Sequence, residues 1–182
     1  MKSNAIKAVG VLATVLLFLV SIYVPPGGAA PKVADNGDLK RLVANLHWLG
    51  HDAFRIDADG LVIYIDPFML KPGLPKADLI LITHEHMDHN NPGDVAKIMK
   101  EGTIIITVAR GAEKLSGDVR ITKPGEEMTV RGIHVRAVPA YNTNKFRSPG
   151  VPFHPRELGY VGYLITVGGV TIYHAGDSDF IP

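Results

Sequence analysis

The chain has 182 residues, 46% of them hydrophobic and 20% charged, a composition that excludes a disordered or fibrous chain and makes one globular domain the default. Its 19 basic and 18 acidic residues leave a net charge of +1, so no charge excess points to nucleic acid as a partner. With no cysteine in the chain, disulfides, thiolate zinc sites, a cysteine nucleophile and a lipid-modified amino-terminal cysteine are excluded, and soft-metal chemistry would have to run on histidine.

In chain order, Lys2 and Lys7 precede a weakly polar to apolar run of 17 residues from Ala8 to Val24, followed by Pro25-Pro26-Gly27-Gly28-Ala29-Ala30-Pro31. This is the layout of a secretory signal, and the run is also at the short end of what spans a bilayer as a helix. Residues 1–30 are therefore expected to be a signal peptide or a membrane anchor, which makes the protein exported, either membrane-anchored or extracellular. The polar residues 31–41 read as a linker, and the globular domain is expected over 42–182.

Within that domain, Asn45 to Leu49, Ala53 to Asp57 and Leu61 to Asp66 read as a meander of strands, with Ala58-Asp59-Gly60 supplying a hairpin turn. Asp78 to Thr83 is nearly all apolar, the pattern of a strand buried on both faces. Pro92 opens a helix to Lys100, capped by Asn91 and stopped by Gly102, and Thr103 to Val108 is a second buried strand. A short helix over Ala109 to Leu115 follows. Val119 to Thr122, Glu127 to Val130, Ile133 to Val138, Tyr160 to Val167 and Val170 to His174 are strand-like, and Gly168-Gly169 makes the last turn. Asn142 to Leu158, with Pro149, Pro152 and Pro155, has no regular pattern and reads as a long loop, either a lid or a plain surface connection.

The chemistry is concentrated in His84-Glu85-His86-Met87-Asp88-His89, which begins where the buried strand ends. His84 and His86 project to one side of an extended backbone and can reach one ion, while the following turn lets Asp88 and His89 face a second point nearby. Three imidazoles and a carboxylate suit zinc and tolerate iron or manganese. No Gly-x-Ser-x-Gly nucleophile motif and no glycine-rich phosphate loop is present, which argues against the competing hydrolase and nucleotide-binding designs.

The run His84-x-His86-x-Asp88-His89 resembles the signature of the metallo-β-lactamase superfamily. Trp48-Leu49-Gly50-His51, Ile65-Asp66-Pro67, Val138-Pro139-Ala140-Tyr141-Asn142 and Thr171-Ile172-Tyr173-His174-Ala175-Gly176-Asp177 resemble, in order, the motifs of its ascorbate-6-phosphate-lactonase-like branch. The resemblance implies an α/β fold, a four-layered αββα sandwich around two mixed sheets. It implies two Zn2+ sites, with Mn2+ or Fe2+ as alternatives: His84 and His86 on a first ion, Asp88 and His89 on a second, Asp177 bridging them. Asp66 would orient a ligand imidazole from behind. The implied activity is hydrolysis of an ester, lactone or phosphodiester bond of a small-molecule substrate by a metal-activated hydroxide, with Asp88 the catalytic candidate that orients or deprotonates the water.

Two departures qualify this. Asn142 stands where relatives carry a further histidine; an amide oxygen is a weak zinc ligand, so the first ion would be loosely held or would borrow His154, and restoring histidine at 142 is expected to tighten binding. Relatives also continue beyond the position of Pro182 to a last histidine, so the second half of the sandwich is expected to be incomplete. His51 and His174 read as hydrogen-bonded structural histidines, and His47 and His134 as ordinary strand histidines. Two rival readings are a metal-binding but catalytically inactive remnant and a diiron redox relative of the same fold. No nucleic-acid partner is expected, while membrane anchoring and homo-oligomer formation stay open.

Overall fold

A computed structural model describes residues 34–181. The segment read as a signal or anchor lies outside them. Among the described residues no helix is long and apolar enough to cross a membrane.

Part of the stretch expected to be a linker is a helix, α1 (Asn36–Ala44). Its start is fixed by Asp35, whose side chain accepts from the backbone of Gly37 at 2.7 Å and Asp38 at 2.9 Å, while Asp38 returns to the Asp35 N–H at 3.2 Å. That reciprocal cap satisfies donors that would otherwise be orphaned, and the helix buries Leu42 in the main core.

Strands β1 (Leu46–Gly50), β2 (Ala53–Ala58) and β3 (Leu61–Ile65) form the expected antiparallel meander. Asp59 and Gly60 turn the hairpin with φ of 53° and 75°, the paired left-handed conformation that matches strand twist. Strands β4 (Leu79–Leu81), β5 (Ile104–Thr107) and β6 (Asp118–Ile121) then add in parallel, completing a six-stranded mixed sheet in sequence order. The parallel crossovers carry helices α2 (Pro92–Ile98) and α3 (Ala109–Ala112). Asn91 caps α2 on the Asp94 N–H at 3.1 Å. The second sheet is antiparallel, in the order β12 (Val170–His174), β11 (Val161–Val167), β8 (Ile133–Pro139), β7 (Glu127–Val130). The stretch read as patternless holds an exposed hairpin, β9 (Phe146–Ser148) with β10 (Val151–Pro152), and a 3-10 turn, Arg156–Leu158.

Alternation along β2, β3 and β4 sends Ile56, Ile63, Ile65 and Leu81 between the sheets, against Val135, Ala137, Tyr163 and Ile165. Tyr64, Ile80, Ile82 and Ile105 face the other way, onto Val95 and Ile98 of α2. The α/β expectation holds; of the two sheets expected to be mixed, the first is mixed and the second, among the described residues, is antiparallel, and of the four expected layers the described residues build helix, sheet and sheet. On the outer face of the second sheet Arg136 and Tyr173 are exposed. Strand directions place the ends of β1, β3, β4, β8 and β12 and the start of β11 on one edge of the sandwich. His51, Asp66, His84, Asn142, Tyr160 and Asp177 all lie on loops or strand ends at that edge.

Candidate metal centre

Three imidazoles converge. Nε2 of His84 lies 3.0 Å from Nδ1 of His86, and Nε2 of His154 lies 3.2 Å from the same atom. The proton count follows from what stands behind each ring. The single Thr83 hydroxyl proton goes to the Asp66 carboxylate at 2.8 Å, so Thr83 Oγ1 accepts from His84 Nδ1 at 2.9 Å. Asn142 Oδ1 already accepts from the His154 backbone N–H at 3.0 Å and therefore accepts from Nδ1 of that ring at 2.7 Å. Both rings thus present a lone pair at Nε2, and one proton on His86 cannot serve both. A shared cation can: zinc–nitrogen bonds of about 2.0–2.1 Å in a tetrahedron give nitrogen spacings of about 3.3 Å, close to those found.

A second cluster joins His51, Asp88 and His89. His51 Nε2 lies 3.1 Å from Asp88 Oδ2. His89 donates from Nδ1 to Asp66 Oδ2 at 2.9 Å. Its Nε2 is buried without a hydrogen-bond partner, because the Asp177 Oδ1 at 3.1 Å lies off the line of a hydrogen bond. A buried, unpartnered ring nitrogen beside a carboxylate oxygen fits a pair of ligands aimed at a common ion. Asp177 links the two clusters, with Oδ1 toward His89 and Oδ2 3.3 Å from Nε2 of His154. Asp66 holds the centre from below, fully buried, accepting also from the Thr83 N–H at 2.8 Å and from His174 Nε2 at 3.0 Å.

The expected residues His84, His86, Asp88, His89 and Asp177 come together. Asn142 does not join them as a ligand: its oxygen is taken up by His154 and its amide donates to the Asp177 carbonyl at 2.8 Å, so it stands behind the third imidazole. His51, read as structural, sits in the second cluster instead, and Asp52, which sequence reasoning passed over, lies 3.9 Å from His89 Nε2. His174 is the hydrogen-bonded support expected, and His47 and His134 pair with Asp57 and Glu127 on neighbouring strand positions.

Electrostatics separate the imidazoles. Burial opposes charge on His89, but the carboxylates of Asp177 and Asp66 more than offset it and raise its pKa from 6.5 to about 10. Burial, reinforced by the nearby His89 cation, lowers His84 from 6.5 to about 3. For the ion-free chain, the His89 contribution to stability is full below pH 6.5 and is lost as pH rises toward 10. Between pH 3 and 6.5 the unfolded chain binds the His84 proton and the folded one does not, so stability is lost as pH falls. Chelator-treated protein is therefore expected to melt highest near pH 6.5, measured by circular dichroism across pH 4–10. A midpoint still rising at pH 9 would contradict this charge assignment.

Residues 45–181 match the family described as the beta-lactamase superfamily domain. A UPF0173 metal-dependent hydrolase of Methanoculleus marisnigri is 31% identical over 134 residues, which is 73% of this chain and 58% of that protein. Among solved structures, a Parabacteroides distasonis protein classed as a metal-dependent hydrolase is 35% identical with a TM-score of 0.68, over 75% of this chain and 62% of that one. The metallo hydrolase Igni18 of Ignicoccus hospitalis is 27% identical with a TM-score of 0.54, over 75% and 61%. The chain spans 58–66% of the length of the first curated relatives it matches.

Proposed function

Because the chain belongs to the metallo-beta-lactamase superfamily, we propose that it is a metal-dependent hydrolase of a small-molecule ester, lactone or phosphodiester, working at a two-ion centre. The observation that carries this is Asp177, whose two oxygens divide between an all-imidazole cluster of His84, His86 and His154 and a mixed cluster of His51, Asp88 and His89. Nitrogen-rich and carboxylate-containing sites of this kind suit zinc, with manganese or iron as substitutes.

Bound ions would polarise a substrate oxygen and make a water acidic enough to attack near neutral pH. The chain supplies the rest. His84 is neutral, and its Nε2 lone pair lies 3.0 Å from Nδ1 of His86 within the first cluster. Burial works against ionisation of Asp88, but the hydrogen bond from His51 lowers its pKa, so its half-exposed carboxylate is charged at neutral pH and would accept a proton from a water beside it. Burial likewise works against ionisation of Asp177, but the positive charge of His89 3.1 Å away holds its carboxyl well below the usual range, so it places negative charge between the two clusters. Asp66 and Asn142 fix the rings from behind.

The test is turnover of p-nitrophenyl acetate, a simple lactone and bis(p-nitrophenyl) phosphate by the full chain loaded with zinc or manganese. Hydrolysis of at least one, removed by chelator and by His84→Ala, is expected. A chain that holds two ions and hydrolyses none would instead support the inactive metal-binding reading.

A further inference from the structure

Glu85, with Met87, is one of two members of the ligand run that the two ion sites leave unused, and the only one of the two with a charged side chain. It lies between His84 and His86 in the bend that follows β4, and its side chain reaches Tyr160 and Arg110 rather than the ion clusters. These two partners come from different parts of the fold. Glu85 Oε1 accepts from the Tyr160 hydroxyl at 2.6 Å and is paired with Arg110 Nε at 3.1 Å. Arg110 belongs to α3 on the first sheet, and Tyr160 immediately precedes β11 of the second. The second carboxylate oxygen, Oε2, is buried with no hydrogen-bond partner. A buried polar atom left unpaired is a cost, and it is retained here where the carboxylate faces Tyr160.

Tyr160 is 3% exposed, and its ring touches every imidazole of the first cluster. Centroid separations are 5.0 Å to His84, 5.9 Å to His86 and 5.7 Å to His154. His84 and His86 are carried on the ligand loop, whereas His154 arrives from the distant arm that follows β10. Tyr160 is thus a common wall against which rings from two separate segments are set. A ring free to tilt would let each imidazole settle separately. With its hydroxyl tied to Glu85, the wall is fixed to the same loop that carries two of the three ligands.

We propose that Glu85 and Tyr160 form a positioning pair that sets the three imidazoles of the first site, so that the hydroxyl-to-carboxylate bond governs affinity for the first ion and leaves the second ion alone. The inference rests on the two-ion reading above. The mechanism is geometric: supporting partners of ligand imidazoles typically change metal affinity by about 10–100-fold when removed.

The experiment is Co2+ titration of the full chain, following the visible d–d absorption in competition with a chelator. His154→Ala and His51→Ala serve to assign the two binding constants. Tyr160→Phe keeps the ring and removes the hydroxyl. It is expected to weaken, by about tenfold, the constant that His154→Ala weakens, to alter that ion's absorption spectrum, and to leave the constant marked by His51→Ala within about twofold. Glu85→Gln retains an acceptor and should restore near-normal affinity, whereas Glu85→Ala should behave like Tyr160→Phe. If Tyr160→Phe fails to fold, Glu85→Ala, at a partly exposed position, carries the same comparison. Equal affinity in wild type and both hydroxyl-bond variants, or equal weakening of both constants, overturns the positioning pair. A wild-type chain that binds no cobalt overturns the two-ion reading instead, and the two failures are told apart by that control.

Discussion

Asp66→Ala is expected to destabilise the ion-free chain by about 3–5 kcal/mol, the cost of leaving a buried charge without its partner. Asp66 is fully buried, and the donors around it are the Thr83 N–H and hydroxyl, His89 Nδ1 and His174 Nε2, all at 2.8–3.0 Å. Burial alone would push its carboxyl toward the neutral form, but the hydrogen bonds from His174 and His89 hold its pKa well below the usual carboxylate range. Alanine strands those donors, two of them on imidazoles, and accepts no bond in return. It must also adopt the residue's φ of 45°, a left-handed conformation that disfavours most side chains. A loss of this size lowers the melting point of a domain of about 150 residues by roughly 10 °C. Thermal unfolding followed by circular dichroism reads it directly. A midpoint within about 2 °C of wild type would mean that Asp66 is not the anchor of the site.

Asp177→Ala is expected to leave the fold standing and to remove the second ion, with hydrolysis falling by at least about a hundredfold. The side chain is 31% exposed, so its loss opens no sealed core. Its two oxygens, 3.1 Å from His89 Nε2 and 3.3 Å from His154 Nε2, put an anion between two cation positions. Without it, neighbouring dications repel through a poorly screened gap. Asp177→Asn keeps the shape and drops the charge, so it separates the electrostatic part from the geometric one and should resemble alanine in metal content. Elemental analysis after dialysis, alongside kcat, decides. Two ions retained at unchanged affinity would remove Asp177 from the centre.

Much of the frame is legible in the residues because it rests on local periodicity. The buried strand before His84, the Asn91 cap with Pro92, and the paired turn residues Asp59 and Gly60 each carry a short-range signal that packing then respects. Helix α1 escaped because its cap is Asp35 with Asp38 rather than the more familiar serine or threonine with glutamate. The third imidazole of the first site could be named from sequence only as an alternative. His154 meets His86 across a separation of 68 residues, and no spacing rule reaches that far. What brings it in is the Asn142 N–H bond to its carbonyl at 2.8 Å together with the Asn142 oxygen that both its N–H groups reach. The same geometry reverses the expectation that histidine at 142 would tighten binding, since that change removes the acceptor that sets the tautomer of His154. His51 was hidden in a similar way: it sits in the β1–β2 turn with a φ of 49° and meets Asp88 across a separation of 37 residues.

The central claim is a two-ion centre whose first site is closed by His154, and it is tested most directly by counting metal. Purified full chain, stripped with chelator and titrated with zinc, is expected to take up two ions per chain with distinct constants, and His154→Ala to lose the site of His84 and His86 while the site shared by His51, Asp88 and His89 keeps its affinity. Two ions bound by His154→Ala with both constants unchanged, or no zinc bound by the wild-type chain, would contradict it.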